Sequence, residues 1–452
     1  MTSTWAPYSP SPSQPWNLSR AIHLHCRAEF RATWTELQRD LADGVEASVD
    51  RILTGKTRID GQVEGFERLA EMIGDAAVGS GNAERLKAWW VYQMIFSPDP
   101  LAERLTLLWH NHFATSNQKV NDLALMRQQN ELFREHGRGS FGALLRAVIK
   151  HPAMLIWLDA DSNRKEHPNE NLARELMELF TLGVGNYTET DVKEAARCLT
   201  GWTTIRGEFQ VVPKNHDDGE KHILGKSGNF DGDQLLDLLL DHPAISERIA
   251  WRLCDLFFGE NVATDDDRSA LAAGLREHDL NIGWAVETIL RSKLLYSEEN
   301  LRTRIANPAQ FVVGAIRALE QLNPPPSTLI IAEQLTRMGQ DLFYPPNVFG
   351  WPGGREWINT RSLIARGNLG TALAQGELSS PRRPANLAPV LQRHAGSNDP
   401  RDWAVFLWQL FVGQSPDEDS LTPLLSTEST DHAEIARRMV ANLLVMPALH
   451  LC

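Results

Sequence analysis

The sequence predicts a mainly α-helical globular fold: a multi-helix main domain, one short β-hairpin or ordered loop inserted in it, and a small helical appendage at the C-terminal end. Three observations predict it. Apolar residues recur every three or four positions through most of the 452 residues, the spacing that lines one face of a helix. Only Trp202 to Phe230 breaks that rhythm, alternating β-branched and polar residues around Gly207 and Asp218-Gly219. The hydrophobic share of 42% and charged share of 23% are those of a chain that buries an ordinary core.

Residues 1–16, rich in Pro and Ser, read as a flexible N-terminal segment, and the main domain is expected over 17–376. Helical patterns open it at Arg20–Leu41, Gly44–Thr54 and Ala83–Ile95. Leu101 to Phe113 is the clearest: Leu101, Leu105, Leu108 and His112 fall four, three and four apart. Phe141–Lys150 follows. Asn169 to Leu182 repeats the pattern with Leu172, Ala173, Leu176, Leu179 and Phe180, and Gly183 is its stop signal. Thr188 to Leu199 opens with Thr188 as N-cap and Asp191 three residues on, close to a capping box. Beyond the hairpin region come Asp233–Leu240, Ile245–Phe258, Asp265–Glu277, Ile282–Arg291, Pro308–Leu322 and Ser327–Met338. Tyr344 to Asn359, with its Pro-Pro and Gly-Gly pairs, reads as irregular. Residues 377–402 read as a linker, and 403–452 as the appendage, helical at Trp403–Val412 and His432–Val445.

Composition excludes several classes. A net charge of −13 argues against a nucleic-acid or anionic-membrane binder, since both rely on basic surface. No stretch reaches the roughly 20 apolar residues of a membrane span. The start carries no basic and apolar leader pattern, so a cytoplasmic protein is expected, with export left open. Cys26, Cys198, Cys254 and Cys452 are scattered with no C-x-x-C pair and read as buried thiols. Phosphate-loop, nucleophile-elbow and H-E-x-x-H signatures are missing. Gly137, Gly139 and Gly142 match a dinucleotide motif by letter but follow a helix, not a strand.

Four constellations carry chemistry. In Trp109-His110-Asn111-His112-Phe113 the two imidazoles point about 200° apart on a regular helix, so they converge on one ion only if the helix ends there. The Asn169–Leu182 helix carries Glu170, Arg174, Glu175 and Glu178. Glu170 and Arg174 are an i, i+4 ion pair. Glu175 and Glu178 repel unless a cation compensates, and paired carboxylates on one helical face are a common way to build a metal site. A helical di-iron site would place His where Glu178 stands. The loop Asn215-His216-Asp217-Asp218-Gly219-Glu220-Lys221-His222 offers metal ligands or an acid–base pair, or simply a solvated turn. Trp351 and Trp357, held on Pro/Gly turns, suit either a stacking platform for a sugar or planar ligand, or the filling between helical layers.

Taken together, Asn169 to Gly183, Tyr187-Thr188-Glu189 and Leu199-Thr200-Gly201-Trp202 resemble a large bacterial family catalogued as a domain of unknown function, number eighteen hundred. Trp109 to Phe113, His216-Asp217 with Lys221, and Pro346-Asn347-Val348-Phe349-Gly350-Trp351 match further motifs of that family in order. The resemblance spans roughly residues 15 to 375, and Ala441 to Cys452 is similar to the tails of members from planctomycete-type bacteria. It implies a largely helical fold. For many members it also implies export and a sulfatase-like protein encoded nearby as a partner. Some members carry histidine where Phe180 stands, which removes that position from the candidate ligands.

The expectation is therefore one polar hollow between helices. Its candidate ligands for a divalent metal are His110, His112, Glu175, Glu178, His216 and Asp217, and its candidate catalytic groups are Glu170, Arg174 and Asp218. The alternatives are a non-catalytic scaffold or export partner, and a carbohydrate binder stacking on Trp351 and Trp357.

Overall fold

The computed structural model describes residues 3–58, 65–322, 325–426 and 429–452; residues 1–2 of the N-terminal segment and 427–428 of the C-terminal stretch lie outside the described residues. The fold is mainly α, with two short antiparallel two-stranded sheets.

Two apolar cores organise it. One gathers Leu24, Leu101, Leu105, Trp109, Leu176, Phe180 and Leu253; the other gathers Ile22, Phe30, Trp90, Leu107, Trp351, Leu407 and Leu443. Leu18–Ala28 and Pro100–His112 contribute to both cores, so both helices are buried around nearly their whole circumference. Each fully buried Leu or Phe there contributes about 1.5–3 kcal/mol. This is why polar residues on Pro100–His112, Arg104, His110 and His112 among them, have almost no solvent exposure. The helix starts one residue before the Leu101 expected: Pro100 is its first residue and the Asp99 side chain accepts from Ala102 N–H.

The pattern Arg20–Leu41 resolves into two helices, Leu18–Ala28 and Trp34–Asp43. Arg31, at φ 67, turns the chain between them, and a Thr33/Glu36 capping box starts the second. The hairpin region is two hairpins, Trp202–Ile205 with Glu208–Val211 and Lys221–Ile223 with Lys226–Gly228. Both close through two residues at positive φ, Arg206-Gly207 and Leu224-Gly225, the backbone that a tight right-twisted hairpin requires.

Part of the segment expected to be flexible is laid against the main body: over residues 4–8 its backbone hydrogen-bonds to residues 291–294, while 9–13 are exposed. Trp5 and Tyr8 bury their rings, and Trp5 Nε1 donates to Asp267 O at 2.9 Å. The expected linker holds a short helix, Ala388–Ala395, and the C-terminal stretch is helical at Pro400–Val412 and His432–Val445. Trp403 and Leu443 join Ile22 and Phe30 in the second core, so these helices are part of the body. Gly370 lets Thr360–Ala374 lie against His432–Val445: a Cβ there would come within 2.8 Å of the Ala441 backbone.

Candidate functional site

The glutamate-bearing helix is not a uniform α-helix. Asn171–Glu175 is α, and Leu176–Thr181 is π-helical. Leu182 N–H reaches back five residues to Met177 O at 2.8 Å, and Thr181 Oγ1 donates to Leu176 O at 2.6 Å. Gly183 then ends the element at φ 80. Helix ends leave carbonyls in want of donors. Here Arg248 supplies two of them, its Nε and Nη2 donating to Leu179 O at 3.2 and 3.0 Å. His112 supplies the next, its Nε2 lying 3.0 Å from Phe180 O.

His112 is fully committed by these contacts. Arg252 Nε donates to its Nδ1 at 3.0 Å; a guanidinium can only donate, so Nδ1 accepts and the ring proton sits on Nε2, pointing at Phe180 O. Burial first, then Arg252 and Arg248, hold its pKa well below the usual histidine range, so the ring is neutral. His110 lies in a different setting, an aromatic cage of Trp90, Phe343 and Trp351 with ring centroids 5.1, 5.7 and 5.4 Å away. Burial there pushes its pKa down to about 3. The two imidazoles do not converge.

The carboxylates of the same stretch differ from one another. Arg174 is clamped between Glu170 at 2.9 Å and Glu189 at 2.8 Å, a half-exposed ion network that accounts for both Glu170 and Arg174. Glu178 accepts from the Tyr187 hydroxyl at 2.7 Å. Burial, then Glu178, pushes the Tyr187 phenol up. Glu175 is half-buried, and among the described residues no protein donor hydrogen-bonds it. Burial and then the charge of Glu178 raise its pKa, with Arg174 opposing.

The predicted loop ligands lie in a third place. His216 Nδ1 donates to Thr200 O at 3.0 Å. Arg197 grips Asp217 through Nε at 2.7 Å and Nη2 at 3.2 Å, and this pair holds the Asp217 pKa down to about 2. Lys221, buried, donates to Asp217 O and Gly219 O, tying the loop onto itself. Asp218 is exposed at the turn.

The expected six-ligand hollow is therefore divided among three neighbourhoods, and among the described residues no three His, Cys, Asp or Glu side chains are gathered to hold a metal ion. The reason is local: His112 caps a helix end, His110 fills an aromatic cage, Glu178 takes the Tyr187 hydroxyl, His216 is held on Thr200 O and Asp217 on Arg197, which leaves Glu175 apart from them. Trp351 and Trp357 are 4% and 7% exposed, so they do not form an open stacking platform. All four cysteines are buried free thiols.

Sequence reading missed the arginines. Arg248, Trp251, Arg252 and Asp255 share one face of Ala244–Phe257, and both guanidiniums lie over the Trp251 ring, 5.0 and 5.2 Å from its centroid. Two like charges four apart inside an apolar helical pattern were the available signal. Arg104 was equally legible: at three from Leu101 and one before Leu105 it falls within the apolar stripe.

Fold and site together define a mainly helical protein with a polar centre built where an α-helix widens into a π-helix, capped by two side chains from other helices. The chain belongs to the family described as Protein of unknown function (DUF1800), which matches residues 23–451. No curated protein and no solved structure matches it. Among the described residues no helix is long and apolar enough to cross a membrane.

Proposed function

We propose that this protein is a hydrolytic enzyme in which Glu175 is the group that takes and returns the proton. The observation that carries the reading is that, among the described residues, Glu175 is the candidate carboxylate of its helix with no hydrogen-bond donor, while being half-buried beside a second carboxylate. A carboxyl raised in pKa by burial and a like charge holds its proton more readily than a free one, the direction a general acid–base needs. π-helical turns are frequent at functional sites, which adds to the reading. Glu178 tunes Glu175, and Tyr187 fixes Glu178.

A metal-dependent form of the same proposal places a divalent cation on Glu175 and Glu178, where it would supply Lewis-acid activation of the substrate. His112 has no part in it, since both its ring nitrogens are in use.

The test is turnover of a panel of chromogenic esters, phosphoesters and glycosides by the wild type and Glu175→Gln, each with EDTA and with added Mg²⁺, Mn²⁺ or Zn²⁺. Turnover by the wild type that falls at least a hundredfold in Glu175→Gln supports the reading. Equal turnover by both, or none by either across the panel, removes it.

A second reading, a non-catalytic scaffold or export partner of a sulfatase-like protein, is favoured by one specific observation. Arg174, Glu178, His112 and Asp217 are each satisfied by protein groups, as in a structural network.

A further inference from the structure

Arg104 sits on Pro100–His112 with no solvent exposure, and none of its three guanidinium nitrogens has a hydrogen-bond partner among the described residues. Buried charges are ordinarily paired or hydrogen-bonded, so a lone guanidinium needs an explanation. The guanidinium lies over the face of Phe30, 5.6 Å from the ring centroid. Burial, then the neighbouring Arg304, pulls its pKa down to about 9. It is still a cation at neutral pH.

Arg104 lines a small cavity of about 60 Å³, together with Arg252 and Arg304 and walled by Trp351 and Trp357. The amide oxygens on this cavity's lining each already accept a backbone N–H. Asn111 Oδ1 takes Trp351 N–H, Asn307 Oδ1 takes Gln310 N–H, and Gln340 Oε1 takes Ala309 N–H. Each also carries an NH₂ group, which can only donate. The one carboxylate on its lining, Asp255, is exposed. Three guanidiniums and three amide donors thus surround a space with a single acid at its edge.

The small cavity shares Asp255, Arg304 and Gly353 with a larger one of about 350 Å³, bounded by Trp251, Phe258 and Thr303 among others. That volume is within the range of small-molecule sites.

We propose that this cleft binds a small organic molecule through an oxyanion head, with the head seated on Arg104, Arg252 and Arg304 and the body in the larger chamber. The shared chemistry is that of a carboxylate, a phosphate monoester or a sulfate monoester, each able to accept from a guanidinium fork. The proposal does not rest on Glu175 and holds whether or not that residue transfers a proton.

The test uses the intact protein and three inorganic or minimal probes, phosphate, sulfate and acetate, titrated against chloride at constant ionic strength, with thermal unfolding and calorimetry as readouts. A saturable rise in melting temperature with at least one oxyanion, absent with chloride, is the expected result; which probe acts identifies the head group. Arg104→Met removes an unpaired buried charge, so it should melt higher than the wild type in oxyanion-free buffer while losing the oxyanion-induced rise. Arg304→Gln, at the half-exposed junction of the two chambers, should keep the fold and weaken the apparent affinity about ten- to hundredfold, the effect of losing a charge-assisted contact. Equal response of the wild type to chloride and to all three probes overturns the proposal, as does an undiminished oxyanion response in both variants.

Discussion

Arg252 Nε stands 3.0 Å from His112 Nδ1, and that single contact decides which nitrogen of the imidazole carries the proton. The Nε2–H tautomer then caps Phe180 O at the end of the π-helix, so an arginine on Ala244–Phe257 sets the end of a helix it does not itself cap. Histidine ¹⁵N chemical shifts should report neutral His112 with its proton on Nε2 from pH 5 to 8. In Arg252→Gln the pKa of His112 should rise, because a repelling cation is gone, yet stay below 6.5, because burial is the larger cause. An unchanged pKa would remove the arginine from this account.

Glu175 and Glu178 form the next testable pair. Burial raises the Glu175 pKa first and the Glu178 charge second, so Glu178→Gln should lower it without returning it fully to the ordinary carboxylate range. Tyr187→Phe should act in the same region differently. It leaves the Glu178 carboxylate without its donor, costing about 1.5–3 kcal/mol of stability as a hydrogen bond to a charged group. Carboxyl ¹³C titration reads the first effect and urea unfolding the second. A Glu175 pKa unmoved by Glu178→Gln would mean that the two carboxylates do not sense each other.

The helices with clean apolar stripes were legible in the sequence, and Thr188 with Asp191, and Gly183, act as read. The π-helical turn at Leu176–Thr181 was not, because its apolar spacing fits an α-helix as well, and the carbonyls it frees are matched by Arg248 and His112 from far along the chain. The six candidate ligands lie apart for a related reason. Periodicity says which face a side chain occupies, but not which partner reaches it first. Asp217 was readable as a ligand only while Arg197, twenty residues earlier, was out of sight. Arg104 is the opposite case. Its place inside an apolar stripe was visible, and a charge there is the kind of local conflict that marks a working site.

Gly350 offers a test of the loop that walls the oxyanion cleft. It sits at φ 85, and a Cβ on it would lie 2.2 Å from Asn111 Oδ1, the atom that holds Trp351 N–H at 2.6 Å. Gly350→Ala must therefore push Asn111 off Trp351 as well as adopt an unfavourable backbone. Overpacking alone costs about 1–3 kcal/mol, and the loop clamp goes with it. Urea unfolding should show that loss, and the oxyanion-induced rise in melting temperature should shrink. A variant as stable as the wild type would show that the loop is not held by this contact.

A buried ion cluster lies away from both sites. His25 lies between Glu29, 2.7 Å from Nδ1, and Asp40, 2.6 Å from Nε2, all three nearly without exposure. Thr57 Oγ1 completes Glu29 and Arg51 completes Asp40. Burial opposes a charge on the imidazole, but Glu29 and Asp40 outweigh it and lift the pKa to about 10; Asp40 itself is held down to about 2, its burial outweighed by His25 and Arg51. Because His25 is raised, its contribution is complete below pH 6.5 and drains as pH climbs from there toward 10. Because Asp40 is depressed, its contribution is complete above pH 3.8 and is lost as pH falls toward 2. The stability difference between wild type and His25→Gln should therefore be greatest between about pH 4 and 6.5 and shrink on both sides. Asp40→Asn, which strands the imidazolium with one partner, should cost about 3–5 kcal/mol near pH 6. A wild-type to His25→Gln difference that stays flat from pH 5 to 10 would mean the imidazole is neutral between its two acids.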